Sequence, residues 1–242
     1  MKFYYENIKD ATITYSGTED TDFPISNLND PVKYTLFKDS TPSDGDEIFI
    51  DFGTARTCDS FVMTSDIQGM EMDVAYSTGG SSYSTLFGSP DPSTLYSREF
   101  TSISARYWRI TFNDFAGSKS IKIGNIFLGE MIEMTHDPEI DIVRNSNYMG
   151  MNTQSITGYE SNLLTQTDVR KNFTYNYQYV NPSDKTKLET LRDTIKMTEG
   201  KSIYPLYFDC DGLHFARWQG GLNLTDQAYQ AYQTTINLIG EL

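Results

Sequence analysis

Few residues in this sequence are of types that do covalent or metal chemistry, and they are scattered. There are two histidines, His136 and His214, and two cysteines, Cys58 and Cys210. Nucleophilic catalysis needs a base within hydrogen-bond reach of the nucleophile. No Gly-x-Ser-x-Gly elbow, HExxH helix or phosphate-binding Gly-rich loop occurs. A glycosidase needs only two carboxylates, but 33 acidic residues supply pairs by chance, so residue type alone singles out none. The run Asp209-Cys210-Asp211-Gly212 suggests a calcium loop, yet the further oxygen ligands and the Glu at position twelve are missing. Cys210 with His214 offers two zinc ligands, too few for a site. Asp-Gly between two apolar runs instead predicts a type I′ hairpin turn. The expectation is a protein that is not an enzyme, with no catalytic residue, no metal and no cofactor.

The elements that would position any site are strands. Tyr (17) and Phe (14) supply much of the apolar material, and both favour pleated, half-buried surfaces. In residues 1–130, period-two runs stand at Glu47–Gly53, Glu71–Ser77 and Arg106–Phe112, with apolar runs at Ser60–Thr64 and Ile121–Gly129. Turn clusters such as Thr78-Gly79-Gly80-Ser81-Ser82 separate them, the pattern of a sandwich or barrel. Trp108 alternates with Ile110 and Phe112, which reads as core rather than a sugar-stacking surface. Residues 131–147, with Thr135-His136-Asp137-Pro138, form a boundary.

Residues 148–242 change character. Phe173, Tyr175, Tyr177 and Tyr179 alternate along 166–180, predicting a long strand with one aromatic face. A helix follows over about 182–199: Asn181 caps it, Pro182 opens it, Leu188, Leu191 and Ile195 share a face, and Gly200 stops it. A hairpin (202–209 with 213–219) and a last strand (234–242) complete an α+β set, the helix packed on a sheet. Trp218, near the hairpin end, is a candidate for an interface.

Net charge is −14 and no Lys/Arg run occurs, which argues against binding a phosphate backbone. Residues 1–130 carry 10 basic and 19 acidic groups, and residues 131–242 carry 9 and 14. The start lacks an apolar leader and no apolar run is long enough for a membrane helix. Two distant cysteines suit a reducing cytoplasm.

Several of these segments resemble a known pattern. Phe23-Pro24-Ile25-Ser26-Asn27-Leu28, Ile50-Asp51-Phe52-Gly53, Val74-Ala75-Tyr76-Ser77 with Tyr83, Ala105-Arg106-Tyr107-Trp108-Arg109-Ile110, and Ile123–Gly129 occur in the order of the galactose-binding-like (discoidin-type) fold. The resemblance implies a jelly-roll β-sandwich over residues 1–130. Sugar sites in that fold usually lie on loops at one end, which makes Tyr34, Phe37 and Asp39 the carbohydrate-binding candidates, with packing the competing role for the two aromatics. The family's Asp-Gly before the first long loop is absent from Lys33–Ser40, and Asn125 replaces its usual acidic residue.

The second half is similar, more loosely, to the tube-forming domain of distal and minor tail proteins of long-tailed bacteriophages. Phe173–Val180, Leu188 with Leu191, Gly200–Phe208 and Ile236–Leu242 carry that likeness. It implies a virion component, made in the host cytoplasm, forming a ring with copies of itself and contacting other tail proteins, with the sandwich facing outward. An acidic lumen would then let DNA pass without sticking, while the plainer meaning of the charge is solubility. The alternative is a lectin-like module that binds host polysaccharide and forms no tube.

Overall fold

The computed structural model describes residues 1–5, 8–30, 36–67, 70–90, 95–113, 120–138, 143–147, 150–154, 160–164, 170–198, 201–202, 204–210, 212–228 and 231–240. The protein is mainly β, with one α-helix among these residues. It divides into two compact units, Tyr4–Met131 and Met1–Phe3 with Ile132–Leu242. The opening strand β1 (Lys2–Tyr4) therefore belongs largely with the C-terminal unit, although sequence reading counts it in a domain of residues 1–130.

The first unit holds β2 (Thr12–Tyr15), β3 (Phe37–Asp39), β4 (Asp46–Ser65), β5 (Glu71–Ser77), β6 (Ser84–Pro90), β7 (Leu95–Asn113) and β8 (Ile121–Gly129). They form one antiparallel sheet in the order β3-β8-β4-β7-β5-β6, with β2 on β4. The runs 47–53 and 60–64, expected as separate strands, are one twenty-residue strand. Its register against β7 shifts between Asp51 and Arg56 and again between Cys58 and Ser60, and Gly53 sits at φ +74°. Bulges of this kind bend a strand without ending it. The bent sheet packs around one core, in which Ile48, Ile50, Phe61, Trp108, Ile110, Phe112, Ile121 and Ile123 are at most 1% exposed. Trp108 is core, as its alternation requires.

The second unit adds β9 (Met131–Glu133), β10 (Val143–Asn147), β11 (Gly150–Gln154), β12 (Glu160–Leu164), β13 (Arg170–Val180), α1 (Pro182–Thr194), β14 (Met197–Thr198), β15 (Lys201–Ser202), β16 (Leu206–Asp209), β17 (Leu213–Gln219), β18 (Thr225–Ala228) and β19 (Ala231–Gly240). The sheet runs β10-β13-β19-β17-β16-β1-β9, with β18 on β19, β15 on β17 and β14 on β15, while β11 and β12 pair with each other. Strands β9 and β10 lie inside the stretch expected as a boundary.

Three expectations here are corrected. The helix stops at Thr194, because Lys196 turns to φ +51° and β14 folds back on β15; Gly200, the expected stop, lies outside the described residues. The aromatic stripe of β13 is broken: Phe173, Tyr175 and Tyr177 are buried, but a register shift between Tyr177 and Val180 buries Val180 and leaves Tyr179 47% exposed. The hairpin loop has three residues, since Asp209 pairs with Leu213, so it is not a two-residue type I′ turn. The Asp209 carboxylate accepts from Gly212 N (3.1 Å) to close it; Asp211 lies outside the described residues.

The start of α1 follows the sequence reading. Asn181 Oδ1 accepts from Asp184 N at 2.8 Å, and Leu188, Leu191 and Ile195 are fully buried. Asp184, 1% exposed, also accepts from Thr135 N and Oγ1 (3.1 and 3.0 Å) and from Lys187 Nζ (3.1 Å). A carboxylate at a helix N-terminus complements the dipole there.

Candidate functional site

Two of the three residues expected to bind carbohydrate lie inside the core. Phe37 and Asp39 are both fully buried. Phe37 packs edge-on to Tyr15 at 4.9 Å within the core. Asp39 accepts from the Tyr15 hydroxyl and from Thr41 N, each at 2.7 Å. Burial, with the Asp39 carboxylate beside it, pushes the Tyr15 hydroxyl's pKa far up, so Tyr15 stays a proton donor. Alternation on the short strand β3 turns positions 37 and 39 inward together, so neither offers surface to a ligand. Tyr34 lies outside the described residues. Trp218 is not interfacial either: it is fully buried and stacks on Phe3 at 6.4 Å. His214 lies among Phe173 and Phe208 on β17, and exposed His136 meets the Tyr179 ring edge-on at 5.2 Å.

A different cluster stands on the outer face of the first unit's sheet. Ile48 and Ile50 of β4 and Trp108, Ile110 and Phe112 of β7 point to the core. Period two then sends Glu47, Phe49 and Asp51, and opposite them Thr111, Arg109 and Tyr107, to the other face. The hairpin between β5 and β6 adds Tyr83. Phe49, Tyr83 and Tyr107 are each partly exposed.

These side chains interlock. The Arg109 guanidinium lies 4.6 Å from the Tyr83 ring centroid and holds Glu47 at 3.0 Å, and Thr111 donates to Glu47 at 3.2 Å. Tyr83 meets Phe49 edge-on at 6.3 Å. Arg106 grips both oxygens of Asp51, at 2.6 and 2.8 Å, while lying 4.7 Å from the Tyr107 ring centroid. Such a two-point pair is directional as well as charged. The hydrogen bond from Arg106 holds the Asp51 carboxyl below the usual carboxylate range, and Asp51 in turn raises Arg106. Burial raises the Tyr83 hydroxyl's pKa against the opposing pull of Arg109. Tyr107 packs on Gly80, where a Cβ would lie 3.1 Å from ring atom Cε2. Gly80 sits at φ +78° and its N–H donates to Ser77 Oγ at 2.9 Å.

The face therefore presents phenol hydroxyls and guanidinium edges as donors and two carboxylates as acceptors, over aromatic rings. No covalent chemistry follows from it, and among the described residues no group of three or more His, Cys, Asp or Glu is placed to hold a metal ion. Also among these residues, no helix is long and apolar enough to cross a membrane. Sequence reading found the strands but gave their polar parity no role. The usable signal was Glu47-x-Phe49-x-Asp51 facing Tyr107-x-Arg109-x-Thr111.

No protein-family model matches the chain, and no curated protein matches it. Among solved structures, the chain is similar to a carbohydrate-binding module from a family 31 glycoside hydrolase of Clostridium perfringens, with 16% identity and a TM-score of 0.47, covering 52% of this chain and 99% of that one. It is similar to chitosan-binding module 1 of a chitosanase/glucanase from Paenibacillus sp. IK-5, with 17% identity and a TM-score of 0.45, covering 52% and 99%. A Ruminococcus gnavus GH29 fucosidase gives 19% identity and 0.48, covering 54% of this chain and 28% of that one.

Proposed function

We propose that the unit Tyr4–Met131 is a non-catalytic carbohydrate-binding β-sandwich whose ligand lies across the outer face of β4 and β7. The observation that carries this reading is the interlocked array of Tyr83, Tyr107, Arg106, Arg109, Glu47 and Asp51. Sugars present hydroxyls that both donate and accept, beside apolar C–H faces. A surface of fixed donors and acceptors over aromatic rings meets both needs. The ion pairs hold the side chains in place before a ligand arrives, which limits the ordering cost of binding. Both carboxylates are already paired with arginines, so the array suits a neutral glycan. The similarity of the first half's motifs to the galactose-binding-like fold agrees with a binding role.

The test is a glycan array probed with the full chain, followed by Tyr83→Ala and Arg109→Leu. Binding of at least one neutral glycan that either substitution weakens tenfold or more supports the reading. Binding that neither substitution changes refutes it.

A second reading, ring formation in a phage tail tip by the C-terminal unit, is favoured by one feature. The β11–β12 ribbon pairs only with itself among the described strands, which leaves strand edges for pairing between copies. Light-scattering mass of the purified chain tests it: a fixed oligomer supports ring formation, and a monomer at high concentration counts against it.

A further inference from the structure

The C-terminal unit contains a cavity that the sandwich reading does not use. It is an open depression of about 370 Å³, with Asn223, Thr225 and Thr235 exposed on its walls. Its lining includes Gly220, Asn223, Thr225, Thr235 and Asn237. The positions follow from local structure. On β19, Ile236 and Leu238 are buried, so Thr235 and Asn237 point to the opposite face. Beyond β17 the chain turns at Gly220, whose φ of +85° favours glycine, and runs on without regular structure as far as Leu224. A Cβ at Gly220 would lie 3.7 Å from Asn237 Nδ2, so the bend passes close over the amide.

The hydrogen bonds on its walls decide what the cavity offers. Asn237 Oδ1 accepts from Thr174 Oγ1 at 3.0 Å, which fixes the amide and leaves Nδ2 without a partner among the described residues. Thr235 Oγ1 donates to Asn176 Oδ1 at 2.9 Å, which leaves its lone pairs to accept. Thr234 shares the parity of buried Ile236 and Leu238, so its hydroxyl faces the core and not the cavity. The lining contains no charged side chain and no aromatic ring. An ion would find no countercharge there, and an apolar ligand would strand the amides.

We propose that this cavity binds a small, neutral, hydroxyl-rich molecule of the monosaccharide class, held by the Asn237 and Asn223 amides and the Thr225 and Thr235 hydroxyls. The proposal is independent of glycan binding by the sandwich, because the cavity lies wholly in the other unit.

The experiment follows the Asn and Gln side-chain amide signals of the full-length ¹⁵N-labelled chain by NMR. Glucose, galactose and mannose are titrated singly, with glucuronate as the charged control. The expected result is a saturable shift of the Asn223 and Asn237 amides with at least one neutral sugar and none with glucuronate. Asn237→Leu should weaken that binding about tenfold, the loss expected when hydrogen bonds to the ligand are removed. Asn223→Ala, on an exposed loop, should weaken it about fivefold by the same loss and keeps the test valid if Asn237→Leu impairs folding. Tyr83→Ala should leave the shifts unchanged, which separates this cavity from the sandwich face. Absence of any shift, an equal response to glucuronate, or unchanged affinity in Asn223→Ala would overturn the proposal.

Discussion

Replacing Gly80 with Ala should disturb both the stability of the sandwich and its outer face, for reasons that can be counted. Gly80 sits at φ +78°, where an L-residue other than Gly costs about 1–2 kcal/mol. The new Cβ would also lie 3.1 Å from Tyr107 Cε2, against an optimal carbon–carbon separation of about 3.5–4.0 Å, so the ring must retreat by several tenths of an ångström. Urea unfolding reads the first effect. The protein has two tryptophans, and in a Trp218→Phe background Trp108 fluorescence reports the sandwich alone. With a slope of about 1–3 kcal/mol per molar urea, the midpoint should fall by roughly 0.5–1 M. The second effect reads as weaker glycan binding, because Tyr107 carries Arg106 and its contact with Asp51 moves with the ring. An unchanged midpoint together with unchanged binding would refute the reasoning that Gly80 sets the position of Tyr107.

Other outcomes follow from the same geometry. Arg106→Gln should raise the titration midpoint of the Asp51 carboxyl, followed by side-chain carboxyl NMR, because the guanidinium holds it low. The sign is that of a lowered carboxylate: any stability from this pair is present above the ordinary carboxyl pKa and is lost as pH falls through the depressed one. Asp184→Ala removes a buried carboxylate from the first turn of α1 and takes the partner from Thr135 N and Oγ1, and should cost about 1–3 kcal/mol, seen as faster hydrogen exchange in the first turn of α1. Tyr175→Ala should cost about 3–5 kcal/mol, whereas Tyr179→Ala should change stability by less than about 0.5 kcal/mol, because the bulge has turned Tyr179 into solvent; denaturant melts of the two variants settle the contrast.

How much was legible in the sequence varies by element. The β character, Trp108 in the core and the Asn181–Pro182 helix start follow from local rules, because alternation and capping act over a few residues. The unbroken β4 was not legible: Gly53 reads as a stop, yet pairing with β7 on both sides of the bend carries the strand through it. Tyr179 escaped for the same kind of reason, since a bulge is a property of two paired strands and leaves no mark in one. The helix end was misplaced because Gly200 looked like the natural terminator, while the chain turns at Lys196, a residue type that rarely adopts positive φ. The candidate site was missed because the family resemblance drew attention to Phe37 and Asp39. The residues that interlock come instead from β4, β7 and the loop after β5, which only the fold brings together.

Glycan binding on the outer face of β4 and β7 would leave an NMR footprint there. A neutral oligosaccharide that binds in the array is titrated into the ¹⁵N-labelled chain. The largest shifts should fall on the amides of Phe49, Tyr83, Tyr107 and Arg109 and on the Arg106 and Arg109 side-chain Nε–H signals. Saturable binding whose shifts fall elsewhere, leaving those signals in place, would contradict it.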